Sequence, residues 1–94
     1  MAIAVYVHPK GMTLKQFEES HRRLDAAGVS NPSGRIHHSC FGQDGDLMVY
    51  DIWESPESWN AFGERLMPIL TEMGIEAGEP AVMPIHRLNQ TSSG

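Results

Sequence analysis

The hydrophobic residues in the first part of the chain fall into one short run and one amphipathic stretch. Residues 2–8, AIAVYVH, are rich in β-branched side chains and too few for a stable helix, so they predict a strand. Thr13 and Gln16 have the spacing of a capping box and predict a helix that ends near Ala27, before Gly28. Its apolar positions, which recur at helical spacing, are Leu14, Phe17 and Leu24.

The second part of the chain predicts a hairpin, a helix and a last strand. Residues 35–42 and 46–54 are largely apolar runs on either side of an Asp-Gly pair, which favours a two-residue turn. Ser55 is suited to the N-cap of a helix that ends near Gly74. The inner face of that helix is expected to carry Trp59, Phe62, Leu66, Ile69, Leu70 and Met73. Residues 80–88 predict a strand, and Pro84 restricts it to a sheet edge because proline has no N–H to donate.

The order β-α-β-β-α-β predicts an α+β fold of the ferredoxin-like kind, with both helices on one face of a four-stranded antiparallel sheet. We expect a single domain over residues 1–88 and a flexible tail over residues 89–94. The first and third strands carry no full row of charges on either side, although two helices cover only one face of the sheet. The second face is therefore predicted to pack against another copy of the chain, as a homodimer.

Composition narrows the choice of partners. Twelve acidic residues against seven basic ones give a net charge of −5, which argues against a nucleic-acid partner because the phosphate backbone is itself negative. A single cysteine, Cys40, excludes an internal disulfide. No apolar run is long enough to span a membrane, and the apolar amino-terminal run lacks the basic segment of a signal peptide. We therefore expect a cytoplasmic protein without a membrane partner.

The predicted turn at Asp44 and Gly45 sets the register of the hairpin, because every pair follows by counting outward. One face then carries the pairs Cys40–Val49, His38–Asp51 and Ile36–Trp53. The other face carries Phe41–Met48, Ser39–Tyr50, His37–Ile52 and Arg35–Glu54. His37 and His38 thus point in opposite directions and cannot bind one metal ion together.

The remaining histidines leave two interpretations open. His38 opposite Asp51 is either an acid–base group whose imidazole the carboxylate orients, or a structural ion pair within the core. His21 continues the apolar stripe of the first helix, and His86 can face inward on the last strand; each is either a core residue or a ligand contact. A metal site built from His21, His38 and His86 has no spacing signature, so no metal is predicted.

Residues 47–70, LMVYDIWESPESWNAFGERLMPIL, resemble the dimeric α+β barrel superfamily, in particular its antibiotic-biosynthesis-monooxygenase branch. The shared feature is an apolar strand that ends in Tyr-acid-apolar-Trp, followed by an acid and a serine that open an aromatic-bearing helix. The resemblance implies a homodimer with a small-molecule pocket between sheet and helices in each subunit. It implies that Trp53 is the pocket tryptophan, whereas Phe62 stands where such members commonly have a histidine.

Two functions follow from the residues and this resemblance. The first is a cofactor-independent monooxygenase or isomerase, in which His38 and Asp51 remove a proton from an aromatic or enolisable substrate. The substrate is then expected to contact Trp53, His21, Phe62, His86 and Tyr6, without a cofactor or a metal. The second is a non-catalytic ligand-binding or stress-responsive dimeric barrel protein, in which the same polar pair only stabilises the core.

Overall fold

The computed structural model describes residues 1–89 and has the predicted order of elements. The elements are β1 (Ile3–Val7), α1 (Leu14–Ala26), β2 (Arg35–Gln43), β3 (Asp46–Trp53), α2 (Pro56–Glu72) and β4 (Ala81–Pro84). The tail predicted over residues 89–94 lies, apart from Asn89, outside the described residues. No helix within residues 1–89 has the length and hydrophobicity that crossing a bilayer requires.

The four strands form one antiparallel sheet in the order β2-β3-β1-β4, which confirms the ferredoxin-like α+β fold. The strand β1 lies inside the sheet, and Ile3 and Val5 are buried on the face that the helices cover. The edge strand β4 ends at Pro84, so the strand predicted over residues 80–88 is shorter than expected. Proline at this position cannot donate a ladder hydrogen bond, which an edge strand tolerates.

Both helices begin at the predicted caps. Thr13 Oγ1 accepts a hydrogen bond from the Gln16 N–H at 3.1 Å, and the Gln16 side chain accepts one from the Thr13 N–H at 3.0 Å. Asp44 in the hairpin turn also accepts a bond from the Leu14 N–H at 2.9 Å, which fixes the start of α1 against the hairpin. The Ser55 hydroxyl accepts from the Ser58 N–H at 3.2 Å at the start of α2.

The hydrophobic core lies between the helices and the covered face of the sheet. Its main cluster is Ile3, Val5, Leu24, Trp53 and Phe62, against which Trp59, Leu66 and Ile69 of the predicted inner face of α2 pack. A smaller cluster at the end of α2 contains Leu70, Ile75 and Ala77. The predicted inner face of α2 is therefore confirmed.

The hairpin has the predicted turn but not the whole predicted register. Gln43 pairs with Asp46, and the pairing follows the prediction outward to His38 opposite Asp51 and His37 opposite Ile52. Beyond His37 a β-bulge at Ile36 shifts the register, so that Arg35 pairs with Trp53. The predicted pairs Ile36–Trp53 and Arg35–Glu54 are therefore wrong. An extra residue in one strand moves the next side chain to the other face, and here it moves Arg35 to the helix side.

The face of the sheet that lacks helices is mostly apolar and partly exposed. Its residues include Ala4, Tyr6, Phe41, Met48, Tyr50 and Met83. Phe41 and Met83 are 46% and 55% exposed, which is high for large hydrophobic side chains in a sheet. We call this surface the open face.

Candidate functional site

A pocket opens between the covered face of the sheet and the two helices. Most of its lining is apolar: Val5, Val7, Pro9, Met12, Phe17, Leu24, Val49, Trp59, Phe62, Leu66, Leu70 and Ile75. Five polar residues also line it: Ser20, His21, Arg35, His38 and Asp51. Its cavity volume is about 70 Å³, which is smaller than the roughly 300–1,000 Å³ of typical small-molecule sites, and beyond this cavity the pocket opens to solvent.

The strands β2 and β3 place His38 beside Asp51. These residues are directly opposite each other, and Nδ1 of His38 lies 2.6 Å from Oδ1 of Asp51. Asp51 is buried and His38 is half-buried, so the hydrogen bond is shielded from most of the solvent. A carboxylate in this position orients the imidazole and accepts its Nδ1–H.

The helix α1 places His21 on the other side of His38. The two Nε2 atoms lie 3.0 Å apart, and the rings stack with centroids at 5.1 Å. Nδ1 of His21 lies 3.2 Å from the carbonyl oxygen of Phe17, to which it donates. Burial, and after it the charge of His38, lowers the pKa of His21. Asp51, His38, His21 and the Phe17 carbonyl therefore form one hydrogen-bonded chain from β3 to α1.

Sequence reasoning selected both histidines but not their contact. His21 and His38 are 17 residues apart and lie on different elements, so no local spacing indicates that their rings meet. Two sequence features together could have indicated the contact. The apolar stripe of α1 directs His21 toward the sheet, and the hairpin register places His38 on the face of the sheet that α1 covers.

Sequence reasoning also missed Arg35. The bulge turns its side chain into the pocket, where the guanidinium lies 5.7 Å from the centroid of the Phe62 ring. One guanidinium nitrogen donates to the Ser30 carbonyl at 3.0 Å. Burial lowers the pKa of Arg35, and the charge of Asp51 partly offsets that effect. No sequence signal placed the bulge, because Ile36 and the residues around it are compatible with a regular strand.

The structure separates Trp53 from the pocket. Trp53 is fully buried and packs between Trp59 and Phe62, with ring centroids at 5.9 and 5.2 Å. Its indole N–H has no hydrogen-bond partner within residues 1–89. Phe62 lines the pocket, whereas Trp53 does not.

The other predicted contacts lie outside the pocket. Tyr6 is on the open face, opposite Tyr50, and His86 is exposed beyond the end of β4. Cys40 is half-buried, and burial raises the pKa of its thiol, so it stays protonated and weakly nucleophilic near neutral pH. In the part of the chain that the structure describes, no three histidine, cysteine or acidic side chains are grouped as metal ligands.

Comparison of the sequence with models of known protein families gives no match, and comparison with curated proteins gives none either. Comparison of the fold with solved structures gives several matches. SnoaB, a cofactor-independent oxygenase from Streptomyces nogalater, superposes with a TM-score of 0.64 at 14% identity, over 93% of this chain and 94% of that one. The chain has the fold of the antibiotic biosynthesis monooxygenases.

Two further structures support this relationship of folds. A proposed antibiotic biosynthesis monooxygenase from Caulobacter crescentus CB15 has a TM-score of 0.63 at 20% identity, over 94% of this chain and 91% of that one. Rv0793 from Mycobacterium tuberculosis has a TM-score of 0.58 at 16% identity, over 98% and 100%. At these identities the similarity establishes the architecture, and the reaction has to be argued from the site.

Proposed function

We propose that the protein is a homodimeric, cofactor-independent monooxygenase that acts on a small aromatic or enolisable substrate. The observation that carries this proposal is the His38–Asp51 hydrogen bond of 2.6 Å at a pocket with a mostly apolar lining. The apolar walls suit an aromatic ring, and the imidazole supplies the proton acceptor that such a substrate needs. The shared fold with SnoaB, which is a cofactor-independent oxygenase, is consistent with this chemistry.

The reaction needs little from the protein beyond binding and proton transfer. For this step the His21 ring turns aside when the substrate binds, because Nε2 of His38, the nitrogen that Asp51 does not occupy, lies 3.0 Å from Nε2 of His21. The neutral imidazole of His38 can then take a proton from an acidic C–H or O–H of the substrate, while Asp51 stabilises the imidazolium that forms. The resulting carbanion transfers electrons to dioxygen, and a C–O bond forms to give a peroxide. Loss of water then leaves a carbonyl, so that a CH₂ group and O₂ become C=O and H₂O. The substrate is the reductant in this scheme, so no flavin or metal is required.

The proposed homodimer uses the open face. Phe41 and Met83 are about half exposed there, and neither helix covers them. Covering such a surface with a second copy removes apolar area from water, and an obligate interface of this kind buries roughly 2,000 Å² or more in total. Sedimentation at micromolar concentration should give a dimer, and a stable monomer would contradict this part of the proposal.

Oxygen consumption tests the activity. Metal-free protein should consume dioxygen with anthrone or the smaller β-tetralone, both of which are enolisable aromatic ketones. His38→Gln should lower the rate by roughly 10²-fold or more, the usual contribution of an acid–base group. His37→Gln is the matched control, because His37 is the neighbouring residue and points to the open face. Equal rates for the two variants would show that His38 is not the base.

One observation favours the alternative function, a non-catalytic ligand-binding or stress-responsive dimeric barrel protein. Trp53 is fully buried among Trp59 and Phe62, so the space around it is filled rather than open to a substrate. In this case native mass spectrometry should detect a bound small molecule, while no ketone of the series should support oxygen consumption.

A further inference from the structure

Arg35 lines the pocket without a charged partner. Within residues 1–89 no carboxylate forms an ion pair with its guanidinium, and Asp51 is hydrogen-bonded to His38 instead. The only hydrogen bond of the Arg35 guanidinium among the described residues goes to the Ser30 carbonyl at 3.0 Å. A half-buried guanidinium has five N–H donors, and leaving them without an anion in an apolar setting is costly. Among the described residues, the free N–H donors of Arg35 therefore have no anionic acceptor.

Counting protons gives the charge of the neighbouring histidines. The Phe17 carbonyl can only accept, so Nδ1 of His21 carries a proton. Another proton lies between Nδ1 of His38 and Oδ1 of Asp51. The two Nε2 atoms, 3.0 Å apart, would then present lone pairs to each other unless a third proton lies between them. Three protons on one carboxylate and two imidazoles give a net charge of zero, so Asp51 is already neutralised within this group.

The charge at the polar end of the pocket follows directly. While the third proton is present, Asp51, His38 and His21 together contribute zero, and Arg35 contributes +1. The helix α2 adds no charge there, because the residues that it contributes to the lining are Trp59, Phe62, Leu66 and Leu70. A single positive charge between apolar walls attracts an anion strongly, because low-dielectric surroundings screen it little.

We infer that the pocket takes a small aromatic anion, whose ionised oxygen binds to the guanidinium of Arg35 beside His21 and His38. This inference rests on the proposed function only in taking the ligand to be aromatic, and it adds the charge of the ligand and the residue that recognises it. A carboxylate carried by the ligand and a phenol or enol oxygen ionised in the pocket present the same chemistry. Arginine suits either group, because its planar N–H donors can pair with an oxygen anion through two bonds.

The inference also predicts an opposite pH dependence for binding and for proton removal. The other charged groups in the pocket lining beside the His21–His38 pair are Arg35 and Asp51. While the third proton is present, the polar end is cationic and binds an anion best. Once that proton is lost, the pair is a base and the net charge falls to zero. Affinity for the anion should therefore fall as the pH rises, while the proposed oxygenase rate should rise.

Anaerobic binding measurements test this without any turnover. The probes are β-naphthoate, which carries a permanent carboxylate, β-naphthamide, its neutral counterpart, and β-naphthol, whose absorption reports ionisation in the pocket. We expect β-naphthoate to bind about tenfold or more tightly than β-naphthamide, the usual gain from a charge-assisted pair. Bound β-naphthol should show the naphtholate spectrum if the pocket also ionises a hydroxyl; a neutral spectrum would restrict the anion to a carboxylate. Equal affinity for naphthoate and naphthamide would overturn the inference.

Three variants assign the preference to Arg35. Arg35→Met should abolish the preference for naphthoate, and Arg35→Lys, which keeps the charge, should retain part of it. Arg65→Met is the matched control, because it removes the same charge from an exposed position of α2 that does not line the pocket. If Arg35→Met does not fold, the comparison of Arg35→Lys with Arg65→Met still decides. A full preference in Arg35→Lys together with the loss of preference in Arg65→Met would refute the assignment. Because no oxygen is consumed, a failed oxygenase assay and a failed binding preference remain separate results.

Discussion

Replacing Phe62 by alanine tests directly whether this side chain belongs both to the hydrophobic core and to the pocket lining. Phe62 is only 7% exposed, packs against Trp53 at a centroid distance of 5.2 Å, and supports the Arg35 guanidinium at 5.7 Å. Truncating a buried phenylalanine costs about 3–5 kcal/mol. The adjoining pocket lets neighbours relax into the space, which favours the lower end, near 3 kcal/mol. Loss of the contact with Arg35 adds about 0.5–1 kcal/mol.

The expected destabilisation is therefore about 4 kcal/mol, a large share of the roughly 5–15 kcal/mol that stabilises a domain of this kind. It corresponds to a drop in Tm of about 15–30 °C. Urea unfolding followed by circular dichroism, at one fixed protein concentration, measures the change directly. Met67→Ala is the control, because Met67 lies on the same helix but is 44% exposed. A loss below about 1 kcal/mol for Phe62→Ala, or an equal loss for Met67→Ala, would refute the assignment of the inner face.

Three further outcomes are expected. Gly34→Ala should cost about 2 kcal/mol or more, because φ is +90° and a Cβ atom would lie 2.4 Å from Ser58 Oγ; Gly28→Ala, at φ +74° in open space, should cost less in the same urea assay. Burial, and after it the charge of His38, lowers the pKa of His21 below 6.5, so the unfolded chain binds a proton there that the folded chain does not. Stability should therefore rise with pH up to about 6.5 and rise less in His21→Gln; a flat profile for the native protein would contradict this. Hydrogen bonds from Arg22 and then Arg23 lower the pKa of Glu19 from 4.5 to about 2. The stabilisation that ionised Glu19 contributes is therefore present above pH 4.5 and should be lost as the pH falls toward 2. NMR titration should show the Glu19 carboxyl titrating near pH 2, and this titration should be absent in Glu19→Gln.

Much of the candidate site could be predicted because strand geometry is local. The Asp44-Gly45 turn, with Gly45 at φ +89°, joins the strands as expected, and the two-residue period carries the pairing outward to His38 and Asp51. The helical stripe likewise pointed His21 toward the sheet. Counting failed at Ile36, because a bulge adds a residue without leaving a mark in the sequence. That failure hid Arg35, which supplies the charge of the pocket.

The amino-acid sequence alone determined the order of the elements, their caps, the inner face of α2 and the opposite directions of His37 and His38. These features depend on periodicity and on hydrogen bonds between residues close in the chain. Only the tertiary structure decided that Phe62 lines the pocket and Trp53 does not, that Tyr6 and His86 lie outside it, and that Nε2 of His21 lies 3.0 Å from Nε2 of His38. The physical reason is that a helix and a strand can approach at many heights and angles with the same pattern of apolar residues. Packing of the whole core selects one of them, and with it the side chains that share a pocket.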